Sequence, residues 1–333
     1  MSGDPALSLG SSDLLAAWEA LKAVAPGDRL FRSRRLDRPR GIDLRAGLRE
    51  TDGAPCLIAR PEVADSGLAL FETAGLRLAG AADPGGNLLV LSLEEPSRCD
   101  LFAEVCSDVV RALVRSEDDG ETDLLPELVA RLAAWRAFLR DQSGGLSRQE
   151  TVGLIGELLF LEQLLVRSTE ALASWKSPDD GLHDFECCGH ALEVKTSLGA
   201  ARRMHVSTLD QFDAAGLASL HVAHVRLVEQ RDGITLGTLT ERIAGQFVSD
   251  RDRRLFANAL LRRGLAPGIV DDPGPAVRHD GTEVYEVRDG FPCLSRAGVP
   301  AGIPDATYQI EVQALRGFLA DAGDVMTVLG GQD

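Results

Sequence analysis

Apolar positions change their spacing several times along this chain, and each change marks a change of element. Around Asp13 to Val24 they recur at helical intervals and predict one short helix. The segments GIDLR, PCLIAR, LRLAG and LLVLSL then read as strands, separated by Gly, Pro and Asp turn signals such as DPGGN. From Asp100 helical spacing returns in LFAEVCSDVVRALVR, and again in LLPELVARLAAWRAFLR after the acidic turn SEDDGETD. DQSGG, at 141–145, follows as a boundary.

The segment LSRQETVGLIGELLFLEQLLVR carries the clearest helix signals. Ser147 and Glu150 make a capping box that satisfies orphan amides at its start. Leu154, Leu158, Leu161 and Leu165 form one apolar face, which Ile155, Leu159 and Phe160 broaden, so the helix is expected to be buried. Glu157 lies inside that run, and a buried carboxylate is costly unless it is paired, neutralised or bound to a metal. Gly153 and Gly156 leave room for a close approach beside it.

Residues 182–195, LHDFECCGHALEVK, have the alternation of a β-hairpin. A turn at Gly189-His190 sets Cys188 opposite Ala191 and Asp184 opposite Lys195. Asp184, Glu186, Glu193 and Lys195 then share one face, and Phe185, Cys187, Leu192 and Val194 the other. Beyond it, STLDQFDAAG reads as a short helix and ASLHVAHVRLVEQ as a buried strand. TLTERIAGQFVSDRDRRLFANALLRRG gives one or two helices, and YEVRDGFPCL and TYQIEVQAL late strands. Helix, hairpin, helix, strand, helix is the order of an α/β core.

Composition narrows the class. With 44% hydrophobic and 26% charged residues the chain is an ordinary globular one, and 333 residues suffice for two domains or one large one. No apolar run approaches a membrane span and no charged segment precedes an apolar one at the N-terminus, so no membrane partner and a cytoplasmic location are expected. The six cysteines form no CxxC pair, which argues against a zinc ribbon or a disulfide framework. His221 and His224 sit on a predicted strand and so point to opposite faces, against a metal pair. The net charge of −16 disfavours broad adhesion to nucleic acid. A local basic groove remains open, from DRLFRSRRLDRPR, with six arginines between Arg29 and Arg40, or from RDRRLFANALLRR. Each cluster alone reads more simply as a solvated charged face.

Carboxylates of one hairpin face, a lysine two residues from Glu193 and a glutamate on the preceding helix are a chemical kit for phosphodiester hydrolysis. Such oxygens suit Mg2+, which is usually held by one or two carboxylates plus substrate phosphates. The bland alternative is a hairpin with one wet face and one core face. GEL at Gly156 to Leu158, HDF at His183 to Phe185 and EVK at Glu193 to Lys195 resemble the PD-(D/E)XK nuclease superfamily, whose core is αβββαβ. Within it the chain is similar to an uncharacterised bacterial group linked to restriction or phage-defence loci, and YEVRDGFPCL and TYQIEV extend that likeness through most of the chain.

The resemblance implies a restriction-endonuclease-like α/β fold with a β-rich region at 1–100, a helical connector at 101–145 and the nuclease-like domain with C-terminal elaborations at 146–333. It implies Asp184 and Glu193 as ligands of Mg2+, or of Mn2+ in its place, Lys195 as the catalytic lysine and Glu157 as the accessory acidic residue and metal ligand. Gln211 lies where some members carry a polar residue, although an exposed helix glutamine is the simpler expectation. His183 replaces the proline of the family name, and Glu186 has no required role. The activity implied is a Mg2+-dependent DNA endonuclease in restriction or phage defence. DNA is then the partner, with other defence proteins or a second copy of the chain as further candidates. The competing readings are a non-catalytic nucleic-acid-binding or assembly subunit that keeps the fold, and a nuclease acting on RNA or on a particular nucleic-acid structure.

Overall fold

The computed structural model describes residues 10–331 apart from 26, 62–69, 141–145, 180, 201–202, 267–273 and 301. The boundary expected at DQSGG lies outside the described residues. Two compact units make up the chain, Met1–Gly144 with Gly264–Ile269, and Gly145–Arg263 with Val270–Asp333.

The first unit opens with α1 (Ser11–Lys22) and continues through β1 (Phe31–Arg35), β2 (Asp43–Arg49), β3 (Pro55–Arg60), β4 (Phe71–Thr73), β5 (Leu76–Asp83) and β6 (Gly86–Leu93). These strands form one antiparallel sheet in the order β1-β2-β3-β6-β5-β4. All four strands read from the sequence are present, and the two additions, β1 and β4, are its edges. Edge strands are short or charged because they must discourage pairing with other chains, which hides them from a hydrophobic pattern. β1 is FRSRR, part of the first arginine cluster. Three of its six arginines are ion-paired, Arg32 with Glu50, Arg35 with Asp43 and Arg38 with Glu117 and Asp118.

Two helices, α2 (Cys99–Asp118) and α3 (Leu125–Arg140), complete this unit. Trp18 of α1 stacks on Phe102 of α2 at 5.2 Å between ring centroids and donates its indole N–H to the carbonyl of Cys56. Between α2 and α3 the buried Asp108 accepts from Arg131 Nε (2.6 Å), Arg131 Nη2 (2.9 Å) and Trp135 Nε1 (2.7 Å).

In the second unit, α4 (Arg148–Leu165) starts at the expected capping box. Ser147 Oγ accepts from the Glu150 amide, and the Glu150 carboxylate accepts from the Ser147 amide. The elements that follow are β7 (Phe185–Cys187), β8 (His190–Leu198), β9 (Arg203–Val206), β10 (Ser219–Ile234), α5 (Leu236–Ala244), α6 (Asp250–Arg262), β11 (Val277–Glu286), β12 (Tyr308–Glu311), β13 (Leu319–Ala320) and α7 (Ala322–Leu329). A mixed sheet runs β13-β11-β10-β8-β7, parallel between β8 and β10 and antiparallel elsewhere. β9 and β12 form a separate antiparallel pair.

Residues 191–194 of β8 are buried in succession, so this is a strand covered on both faces rather than a hairpin with one wet face. On one face α4 lies close: a Cβ at Gly156 would overlap the Thr196 hydroxyl, and Phe160 meets Phe185 at 5.2 Å. Nothing comes within 4 Å of such an atom at Gly153, so only the second glycine admits the strand. On the other face Ala191, Leu220, Val222 and Tyr285 pack with Phe212, with Met204 and Val206 of β9 and with Ile310 of β12.

The stretch STLDQFDAAG does not form the expected helix. It makes a single 3-10 turn, Asp210–Phe212, because Asp213 is extended and its carboxylate accepts from the Ala215 amide, a local bond that competes with helical pairing. The segment 236–262 resolves into two helices, α5 and α6, and FPCL is not a strand.

Candidate active site

The hairpin register corrects the sequence expectation. Phe185 pairs with Leu192, Glu186 with Ala191 and Cys187 with His190, so the turn residues are Cys188 and Gly189 rather than Gly189 and His190. Both have positive φ, 53° and 83°, as a primed two-residue turn demands. Glycine takes the second such position freely, whereas the expected turn would have put His190 there. The shift preserves parity, so the two sets of side chains stay on the faces expected of them. Asp184, however, sits beside Glu193 and Val194 instead of opposite Lys195.

Local bonds fix each side chain. β7 begins at Phe185, and just before it Asp184 Oδ2 extends the pairing by accepting the Val194 amide at 2.7 Å. The carbonyl of Asp184 accepts from the Lys176 amide at 2.8 Å, holding the strand against the preceding loop. Glu193 and Lys195, two apart on one face of β8, are joined by a 2.8 Å bond from Nζ to Oε1. Lys195 Nζ also donates to Gln211 Oε1 at 3.1 Å, and the Ser207 amide donates to that same oxygen at 3.0 Å. Gln211 is therefore not an exposed helix residue. It is the second acceptor of the lysine, delivered by the 3-10 turn, and no periodicity in STLDQF signals that turn.

The electrostatics are unbalanced. Burial, then the charges of Glu193 and Glu157, push the Asp184 carboxyl well above the usual carboxylate range. Burial also raises Glu193, which is 5% exposed, against the opposing pull of Lys195. His183 lies close enough for its charge to lower Glu193. It is itself buried, with Nδ1 3.0 Å from Glu186 Oε1 and Nε2 without a partner.

Glu157 stands apart from this group. It rides on α4, which covers the opposite, apolar face of β8, and both of its oxygens are taken. Trp175 Nε1 donates to Oε2 at 3.0 Å and Arg263 Nη2 to Oε1 at 2.6 Å. Thus Arg263, read from the sequence as part of a candidate basic groove, pairs with a buried glutamate, and Arg262 pairs with Asp179. The structure brings together Asp184, Glu193, Lys195 and Gln211, with the charge of Glu157 felt by both carboxylates.

Among the described residues no group of three or more His, Cys, Asp or Glu side chains is arranged to hold a metal ion. His221 and His224 lie on β10, with His224 Nε2 at 3.0 Å from Ser197 Oγ. Two adjacent carboxylates, both raised chiefly by burial, are nonetheless a fitting donor set for Mg2+, which needs only one or two protein carboxylates. No helix among the described residues is long and apolar enough to cross a membrane.

A mixed α/β unit with an acidic pair and a lysine at a β-hairpin of its sheet is the arrangement of PD-(D/E)XK nuclease-like proteins. The chain belongs to the family described as "Putative PD-(D/E)XK family member" (DUF4420), whose model matches residues 14–313. No curated protein and no solved structure matches it.

Proposed function

We propose that the protein is a Mg2+-dependent endonuclease that hydrolyses DNA phosphodiester bonds in restriction or phage defence. One observation supports the reading: the Lys195 ammonium is held by Glu193 and Gln211 beside two carboxylates that burial, and then neighbouring negative charge, raise above the usual carboxylate range. A structural salt bridge would need one carboxylate per cation, and the second is left in excess.

In this reading Asp184 and Glu193 hold the metal, which supplies polarisation of a phosphoryl oxygen and a lowered pKa for a water. Lys195 presents a compact charge where negative charge grows on the phosphate, and Glu193 and Gln211 aim it. Glu157, held on α4 by Trp175 and Arg263, contributes through the negative charge that both carboxylates feel.

The test is cleavage of plasmid DNA by the purified chain with Mg2+, with Mn2+ or with chelator, beside Asp184→Ala. The expected result is metal-dependent nicking or linearisation by the wild type alone. Retarded migration of DNA without cleavage in any metal would instead support a binding subunit, and cleavage of RNA alone would replace the substrate.

A further inference from the structure

The turn that joins the two strands of the site is itself chemically unusual. Cys187 and Cys188 are adjacent thiols with their sulfurs 3.3 Å apart, and Cys188 is exposed. Cys188 is one of two non-glycine residues with positive φ among the described residues, at 53°. The pair opens on a cavity of about 540 Å³, whose wall includes Lys176, Glu186, His190 and Leu329.

Two thiols this close can be joined in two ways, and geometry separates them. A disulfide requires Cα atoms ~4.4–6.8 Å apart, whereas neighbours across a trans peptide are ~3.8 Å apart, so a bond here would be strained and easily reduced. The Cys187–Cys188 peptide is trans, the one cis bond among the described residues being Arg38-Pro39. A single atom bridging both sulfurs asks for no such closure. A trivalent metalloid bonds near right angles, which leaves its two sulfurs about as far apart as they already stand here. The primed turn also fixes both thiols before anything binds, so little ordering entropy is lost in capture.

The geometry points to Cys187 and Cys188 as a dithiol binding site for a thiophilic trivalent metalloid carrying one organic substituent, an arsenical R–As(OH)2 or its equivalent. Two S–H and two As–O bonds break, two As–S bonds form, and two waters leave. Arsenic stays trivalent, so no oxidant or reductant enters. The substituent is received by the cavity beside the turn.

Intact-mass spectrometry of the full chain with phenylarsine oxide tests this. The expected product is one adduct per chain, with two thiols lost to thiol titration for each arsenic bound. Release should need about 10²-fold more of a monothiol than of ethanedithiol, because each protein sulfur raises the effective concentration of the other. Cys187→Ser and Cys188→Ser should each lose the monothiol-resistant adduct, while Cys99→Ser and Cys293→Ser keep it. Thermal melts of all four variants establish that each is folded. A monothiol-resistant adduct in folded Cys188→Ser, or none in the wild type, would overturn the site. So would a stable intramolecular disulfide, seen as loss of two hydrogens, after treatment with glutathione disulfide.

Discussion

Each unit of this chain buries carboxylates, and Asp108 in the first is treated in the opposite way to the pair Asp184 and Glu193 in the second. Asp108, in the first, meets a bidentate Arg131 and the Trp135 indole, so one negative charge faces one positive charge with both oxygens engaged. Asp184 and Glu193, in the second, share the single ammonium of Lys195, and burial, then neighbouring negative charge, raises both. A buried ion pair that closes on itself has no reason to recruit anything. A buried carboxylate pair one cation short is stabilised by whatever cation arrives.

The largest expected effect breaks the first arrangement. Asp108→Asn leaves the Arg131 guanidinium buried opposite a neutral amide and should cost ~3–5 kcal/mol, read as a lowered denaturation midpoint. Asp184→Asn, tested without metal, should be neutral or stabilising. A comparable loss in both would erase the contrast. Next is Lys195→Met, which should fold and retain DNA but lose roughly 10²–10³ in cleavage rate. Lys195→Arg should also be impaired, since a planar fork does not replace a compact ammonium between Glu193 and Gln211.

Smaller effects sharpen the charge deficit. Both carboxylates have folded values above their unfolded ones, so the folded chain keeps protons that the unfolded chain releases. Their contribution is fully present below the ordinary carboxylate range and is lost as pH rises through the folded values. In chelator the melting temperature should therefore fall over that window, and Asp184→Asn should flatten the fall. Mg2+ at neutral pH should raise the wild-type melting temperature by about 2–4 °C, equivalent to ~1 kcal/mol, and leave the Asp184→Ala, Glu193→Ala double variant unmoved. The smallest change expected is in Gln211→Leu, which removes one acceptor of Lys195. About 1 kcal/mol, or a several-fold slower cleavage with unchanged Mg2+ affinity, would follow.

Much of this was legible in the chain. The capping box at Ser147, the apolar face of α4 and the alternation around Phe185 each rest on short-range rules, and the shared face of Glu193 and Lys195 on β8 follows from period two. What escaped depends on partners distant in sequence or on turn chemistry. Arg263 reaches Glu157 from the end of α6, and nothing in RDRRLFANALLRR distinguishes the arginine that does so. The hairpin register depended on which residue pair accepts positive φ, and alternation is blind to a shift that preserves parity. Gln211 was hidden because helix and 3-10 turn are locally almost the same sequence signal.

The parallel pairing of β8 with β10 also has a kinetic side. β7 and β8 are joined by two residues and can zip up on their own within microseconds, but a lone hairpin is marginal in water. Residues 190–198 gain their second neighbour only when 219–227 have returned alongside them. Closing that crossover is an entropic toll levied before the ladder repays it, so the step belongs to the slow part of folding. On a ribosome, Glu193 and Lys195 therefore emerge well ahead of the strand that holds them rigid. A chain interrupted before β10 would carry the acidic pair and the lysine without the geometry that makes them a site.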